Sequence, residues 1–149
     1  MSPLVRISTV LLIFSHQIHQ FNNEGEKKIT TGIHKIDFSA PDEVRAPEKT
    51  TMEIVNVGAT KVARLTAQPG WIWSECIAPV VGTDSCQAHH LGVVQSGQLL
   101  VHHEDGSEAT LNPGDVYECK PGHQAQVVGD EPCVMIEFDS QTAQTYAQD

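Results

Sequence analysis

Two stretches decide the reading of this chain: GTDSCQAHHLGVVQSGQL at residues 82–99 and NPGDVYECKPGHQAQV at residues 112–127. Each is a run of alternating apolar and polar residues broken by Gly or Pro, the signature of short β-strands joined by tight turns. Each also carries side chains able to bind a metal close to a turn. Two such strands facing each other across a small barrel would bring those side chains to one cavity.

The same pattern continues on both sides. Strands are predicted at Ile33–Phe38, Met52–Val57, Lys61–Ala67, Trp71–Ile77, His90–Gln95, Gln98–His103, Glu108–Leu111, Val116–Cys119, Gln124–Val128 and Val134–Phe138. Turns fall between them at Pro69-Gly70, Gly82–Asp84, Ser96-Gly97, Asp105-Gly106, Asn112–Gly114, Pro121-Gly122 and Gly129-Asp130. Asp105-Gly106, set between two alternating runs, is the strongest hairpin signal. Nowhere does an apolar period of 3.6 persist for three turns, so little helix is expected. Many short strands at even spacing argue for an all-β sandwich or barrel.

The length of 149 residues suits one domain with one core. Residues 1–32 read as an N-terminal extension and polar linker, 33–140 as the β-domain, and 141–149 as a polar tail. Ala40–Thr50, with two prolines and mixed charges, reads as a loop. The apolar run Ile7–Phe14 is too short to span a bilayer. Its thin basic flank makes a weak export signal, so a cytoplasmic protein is expected, with export as the alternative. The chain carries 19 acidic and 9 basic residues, a net charge of −10. That balance disfavours nucleic acid and anionic membranes as partners. Cys76, Cys86, Cys119 and Cys133 contain no CxxC pair, which excludes zinc-ribbon and thioredoxin-like readings and favours free thiols.

The two stretches resemble the motifs of the cupins, small barrels of jelly-roll type. Asn112-Pro113-Gly114-Asp115 followed by Pro121-Gly122-His123 is similar to the family's second motif, and Gly129–Pro132 to the turn that closes it. Aligned on Gly97, the first motif's carboxylate position falls at His90 and its two histidine positions at Asp84 and Cys86. The spacing matches while the residue types differ. The resemblance covers roughly residues 50–139. It implies a single jelly-roll β-barrel and an inward-pointing ligand set of Asp84, Cys86, His90 and His123. His123 directly follows Gly122, where the family has two intervening residues. A shortened turn there puts His123 in the ligand position, and a shortening further on leaves Ala125 in its place.

Thiolate and imidazole ligands suit Zn, Fe or Cu rather than Mg²⁺ or Ca²⁺, so one divalent transition metal is the expected cofactor. Asp84 serves as a fourth ligand, as an acceptor orienting an imidazole, or as a turn former. Without an ion, Cys86 is a small buried apolar residue and His90 a hydrogen-bonded core residue. His89 lies next to His90 and should face the other way. Trp71 and Trp73, with Glu75 on the same predicted face, are either walls of a ligand pocket or packing in the core or a dimer interface.

Two classes of function fit. One is a non-catalytic protein binding a small molecule, with or without one metal ion, inside the barrel. The other is a mononuclear metal-dependent dioxygenase, isomerase or lyase acting on a small polar substrate. A homodimer is expected, because a lone barrel leaves strand edges that proteins tend to cover.

Overall fold

The computed structural model describes residues 32–138. The expected extension, linker and tail, with the Ile7–Phe14 run, otherwise lie outside them. Among the described residues nine strands form two antiparallel sheets. The larger runs in the order β1 (Glu43–Arg45), β2 (Thr50–Val57), β3 (Thr60–Ala67), β9 (Cys133–Phe138), β4 (His90–Ser96) and β7 (Val116–Cys119). The smaller is β6 (Glu108–Leu111), β5 (Leu99–His103) and β8 (His123–Val127). The result is an all-β jelly-roll architecture whose two sheets enclose one core. The isolated bridges Ile72↔Gln126 and Cys86↔His123 add backbone pairing outside the named strands.

A period of two sorts the side chains. Met52 and Ile54 of β2, Ala63, Leu65 and Ala67 of β3, and Cys133 and Met135 of β9 face inward from the large sheet. Leu99 and Val101 of β5 and Ala125 and Val127 of β8 answer from the small one. Each large apolar side chain so buried contributes about 1.5–3 kcal/mol to the fold. Thr50 shares the inward row of Met52 and Ile54, while His90, Glu137 and His123 are buried together at one end.

Gly97 makes the turn from β4 to β5. Its φ is 72°, in the left-handed region that glycine tolerates. A Cβ there would also stand 2.3 Å from the carbonyl oxygen of Pro132.

Several local expectations are corrected. The predicted strand Trp71–Ile77 is instead two short helices, α1 (Trp73–Cys76) and α2 (Ala78–Val81). Pro79 stands in the first turn of α2, where its missing N–H costs nothing, and Gly82 closes it with φ 70°. Ile33–Phe38 forms no strand. The expected loop Ala40–Thr50 contains β1, which pairs with β2 through Val44↔Glu53. No helix among the described residues is long and apolar enough to cross a membrane.

Candidate metal centre

Cys86, His90 and His123 reach one point from three different segments. His90 begins β4 and His123 begins β8. Cys86 sits in the connection after α2, pinned to β8 by two backbone bonds. Its N–H donates to the His123 carbonyl at 2.8 Å, and its carbonyl accepts from Gly122 N–H at 2.7 Å. Ser85, one residue earlier, donates its hydroxyl to Glu104 and holds the same loop against the end of β5.

All three residues are buried, and one donor atom from each lies within 4.8 Å of the others. Cys86 Sγ stands 3.4 Å from His90 Nε2. Two ligands about 2.0–2.3 Å from one tetrahedral ion stand roughly 3.5 Å apart, so this pair already has the separation a shared ion needs. The rings of His90 and His123 meet edge to face at 4.9 Å.

The second nitrogen of each imidazole is fixed. His123 Nδ1–H donates to the Lys120 carbonyl at 2.6 Å, which leaves Nε2 as the lone-pair atom. His90 Nδ1–H donates to Glu137, at 3.0 Å to Oε1 and 3.2 Å to Oε2. Glu137 is 2% exposed and also accepts from the Tyr117 hydroxyl at 2.9 Å. A carboxylate or carbonyl behind each histidine orients the ring and makes the free nitrogen a better ligand. The donor set and its supports therefore fit a divalent ion of the zinc, iron or copper class.

The thiols differ in kind. Burial pushes Cys119 and Cys133 up to about 11. Burial also opposes ionisation of Cys86, but hydrogen bonds from His123 and His90, together with the charge on His90, outweigh it and bring the thiol down to about 6. For His90, burial would lower the pKa, yet the Glu137 charge raises it to about 10. Tyr117 is raised by burial and by the same carboxylate, so it stays a neutral donor.

Of the remaining sequence candidates, Asp84 is exposed and stands outside the group. Its backbone carbonyl accepts from Gln124 Nε2. His89 faces the surface, with Nε2 2.9 Å from Glu118. Ala125 lies one step further along β8, on the same inward row as His123. Trp71 and Trp73 are buried within the chain and line a cavity of about 40 Å³ bounded also by Cys86, His90, His123 and Glu137. Glu75, on α1, is exposed and does not line it. A larger opening of about 240 Å³ shares Val101, Tyr117, Cys119 and His123 with that cavity.

Glu137 and Tyr117 were not among the sequence candidates. The signal for Glu137 lay in CVMIEF, where a carboxylate shares the alternate row of Cys133 and Met135. Tyr117 gave a weaker one, since an inward tyrosine needs a partner for its hydroxyl. Gly92 opens the space they occupy. A Cβ there would stand 2.5 Å from the Ile136 carbonyl, 2.9 Å from the Tyr117 hydroxyl and 3.1 Å from Glu137 Cγ.

No family model matches the chain, and no curated protein does. Solved structures do. A sugar phosphate isomerase from a cupin superfamily, of Silicibacter pomeroyi, superposes with a TM-score of 0.51 at 18% identity, over 70% of this chain and 74% of that one. A protein of unknown function from Rhizobium leguminosarum gives 0.51 at 18% identity, over 72% and 96%. A cupin-like protein from Thermotoga maritima gives 0.42 at 19% identity, over 60% and 66%. At these identities the likeness concerns the fold.

Proposed function

From the cupin fold that this chain has, we propose that it binds one divalent transition metal through Cys86, His90 and His123, and a small molecule in the adjoining cavity. The observation that carries the reading is the convergence of three buried soft and borderline donors whose two imidazoles are each held from behind. Glu137 accepts from His90 Nδ1–H and the Lys120 carbonyl from His123 Nδ1–H, so an ion that displaces the proton shared with Cys86 would meet the two Nε2 atoms as lone pairs. A bound ion would supply Lewis acidity and an open position for a ligand oxygen. We read the protein as a non-catalytic binder. The alternative is a mononuclear metal-dependent dioxygenase, isomerase or lyase, supported by the opening of about 240 Å³ that meets the site at His123 and Tyr117.

Two copies are proposed to pair. β1 and β7 end the large sheet as open edges, and Val116 on β7 is 77% exposed.

Metal analysis of the full chain purified without chelator tests the reading. One equivalent of Zn, Fe or Cu is expected, lost in Cys86→Ser or His123→Ala and retained in His89→Ala, whose imidazole faces Glu118. A folded wild-type chain that takes up none of these ions on dialysis overturns it.

A further inference from the structure

Cys86, His90 and Glu137 form a hydrogen-bonded row with a second chemical meaning. Cys86 Sγ lies 3.4 Å from His90 Nε2, and His90 Nδ1 lies 3.0 Å from Glu137 Oε1. A sulfur within reach of an imidazole, whose other nitrogen is held by a carboxylate, has the layout of an activated nucleophile. Cys76, Cys119 and Cys133 are free thiols too, but they stand outside this group. Cys86 and His90 both border the cavity of about 40 Å³. One water needs roughly 10–15 Å³, so the space admits an electrophile of roughly two or three heavy atoms and shuts out acyl or glycosyl groups. Hydrogen peroxide meets that limit. The opening of about 240 Å³ shares Val101, Tyr117, Cys119 and His123 with the cavity and offers the route in.

We propose that Cys86 of the metal-free chain is a nucleophile toward hydrogen peroxide, with His90 as its acid–base partner and Glu137 orienting that imidazole. This activity goes beyond the metal reading, which uses the same sulfur differently. The sulfur's electron pair attacks one peroxide oxygen and the O–O bond breaks. The departing hydroxide takes the proton that Cys86 and His90 share and leaves as water. Cys86 is thereby oxidised to a sulfenic acid and the peroxide is reduced. His123 carries its proton on Nδ1, so its Nε2 is free to accept from the peroxide O–H. A sulfenic Cys86 is no longer a thiolate ligand, so peroxide and metal exclude each other at this site.

The full chain, stripped by chelator or loaded with one equivalent of Zn²⁺, is exposed to hydrogen peroxide for timed intervals, and catalase stops the reaction. Unfolding, alkylation of the surviving thiols and peptide mass spectrometry then report each of the four cysteines separately. Dimedone marks any sulfenic acid. A thiol that is merely buried reacts more slowly in the folded chain than in urea. Acid–base assistance typically adds about 10²–10⁴-fold, so Cys86 is expected to oxidise at least about 10-fold faster in the folded, metal-free chain than in urea. It should carry the dimedone adduct, while Cys76 and Cys133 are shielded by folding. His90→Ala should bring Cys86 down to the urea rate or below it. The folded-against-urea comparison in the wild-type chain decides the matter even if that variant does not fold. A Cys86 shielded like Cys76 and Cys133, or a folded His90→Ala chain that reacts at the wild-type rate, overturns the proposal. Zn²⁺ uptake together with a shielded Cys86 in the stripped chain sinks this inference alone. A fast Cys86 without Zn²⁺ uptake sinks the metal reading and leaves this one standing.

Discussion

Glu137→Gln is the most informative single change, because it keeps shape and volume while removing one charge. In the native chain Glu137 accepts from His90 Nδ1 at 3.0 and 3.2 Å and from the Tyr117 hydroxyl at 2.9 Å, at 2% exposure. The bonds of 3.0 Å from His90 and 2.9 Å from Tyr117 both end on Oε1, so a glutamine oxygen there keeps them but places an NH₂ 3.2 Å from His90 Nδ1. His90 Nδ1–H then has a neutral acceptor and a crowding donor in place of a carboxylate, and its hold on the proton weakens against Nε2. Loss of such an outer partner typically lowers metal affinity about 10- to 100-fold. That is roughly 1.4–2.8 kcal/mol of binding. The fold loses a charge-assisted bond worth about 2 kcal/mol, which for a domain of this size lowers Tm by roughly 10 °C. Burial then acts on His90 with only the Cys86 thiolate opposing it, so its pKa should move down. Chelator competition reads the affinity, thermal unfolding the stability, and imidazole NMR the titration. Wild-type affinity together with an unmoved His90 titration would refute the argument that Glu137 orients the ligand. Tyr117→Phe is the control: it deletes one bond to the carboxylate, about 1 kcal/mol, and should leave metal affinity nearly intact.

Stability of the chain without added metal should follow the Cys86–His90 pair. The folded pKa of His90, about 10, lies above its ordinary 6.5, so its contribution is full below 6.5 and fades as pH rises toward 10. The folded pKa of Cys86, about 6, lies below its ordinary 9.0, so its contribution is full above 9 and fades as pH falls toward 6. The two slopes cancel between 6.5 and 9, and urea unfolding should show a plateau there with losses on either side; Cys86→Ser should remove the acid-side loss. Metal uptake, by contrast, should weaken steadily as pH falls below neutral, since protons compete for all three ligands. Gly92→Ala should cost about 1–3 kcal/mol by overpacking and disturb metal affinity as well, because its methyl meets the Ile136 carbonyl and the Tyr117–Glu137 bond together; a stability loss with native affinity would show that the clash is relieved elsewhere. Light scattering of the full chain should give the mass of two copies, and Val116→Lys should shift it toward one; a wild-type monomer at micromolar concentration rules the pairing out.

The alternation of apolar and polar residues and the Gly and Pro turns determined most of the strands, because the two-residue period and the positive-φ turn positions are local properties of the chain. The resemblance anchored at Gly97 and Gly122 pointed Asp84, Cys86, His90 and His123 inward, and of these Cys86, His90 and His123 are buried while Asp84 is exposed. The same local rule failed at Trp71–Ile77. There the inward aromatics looked like a strand row, but Pro79 opens α2 and Gly82 closes it, and Trp73 is buried from α1. Glu137 could be seen as an odd carboxylate on an inward row, yet its purpose could not. His90 is 47 residues away in sequence. Only the antiparallel pairing of β4 with β9, which sets Gly92 opposite Glu137, lays that carboxylate beside the imidazole. The partner of a buried charge is chosen by strand register and sheet order, which depend on the whole core packing at once. Sequence therefore specified many of the groups that point inward, and the tertiary structure alone decided which of them meet.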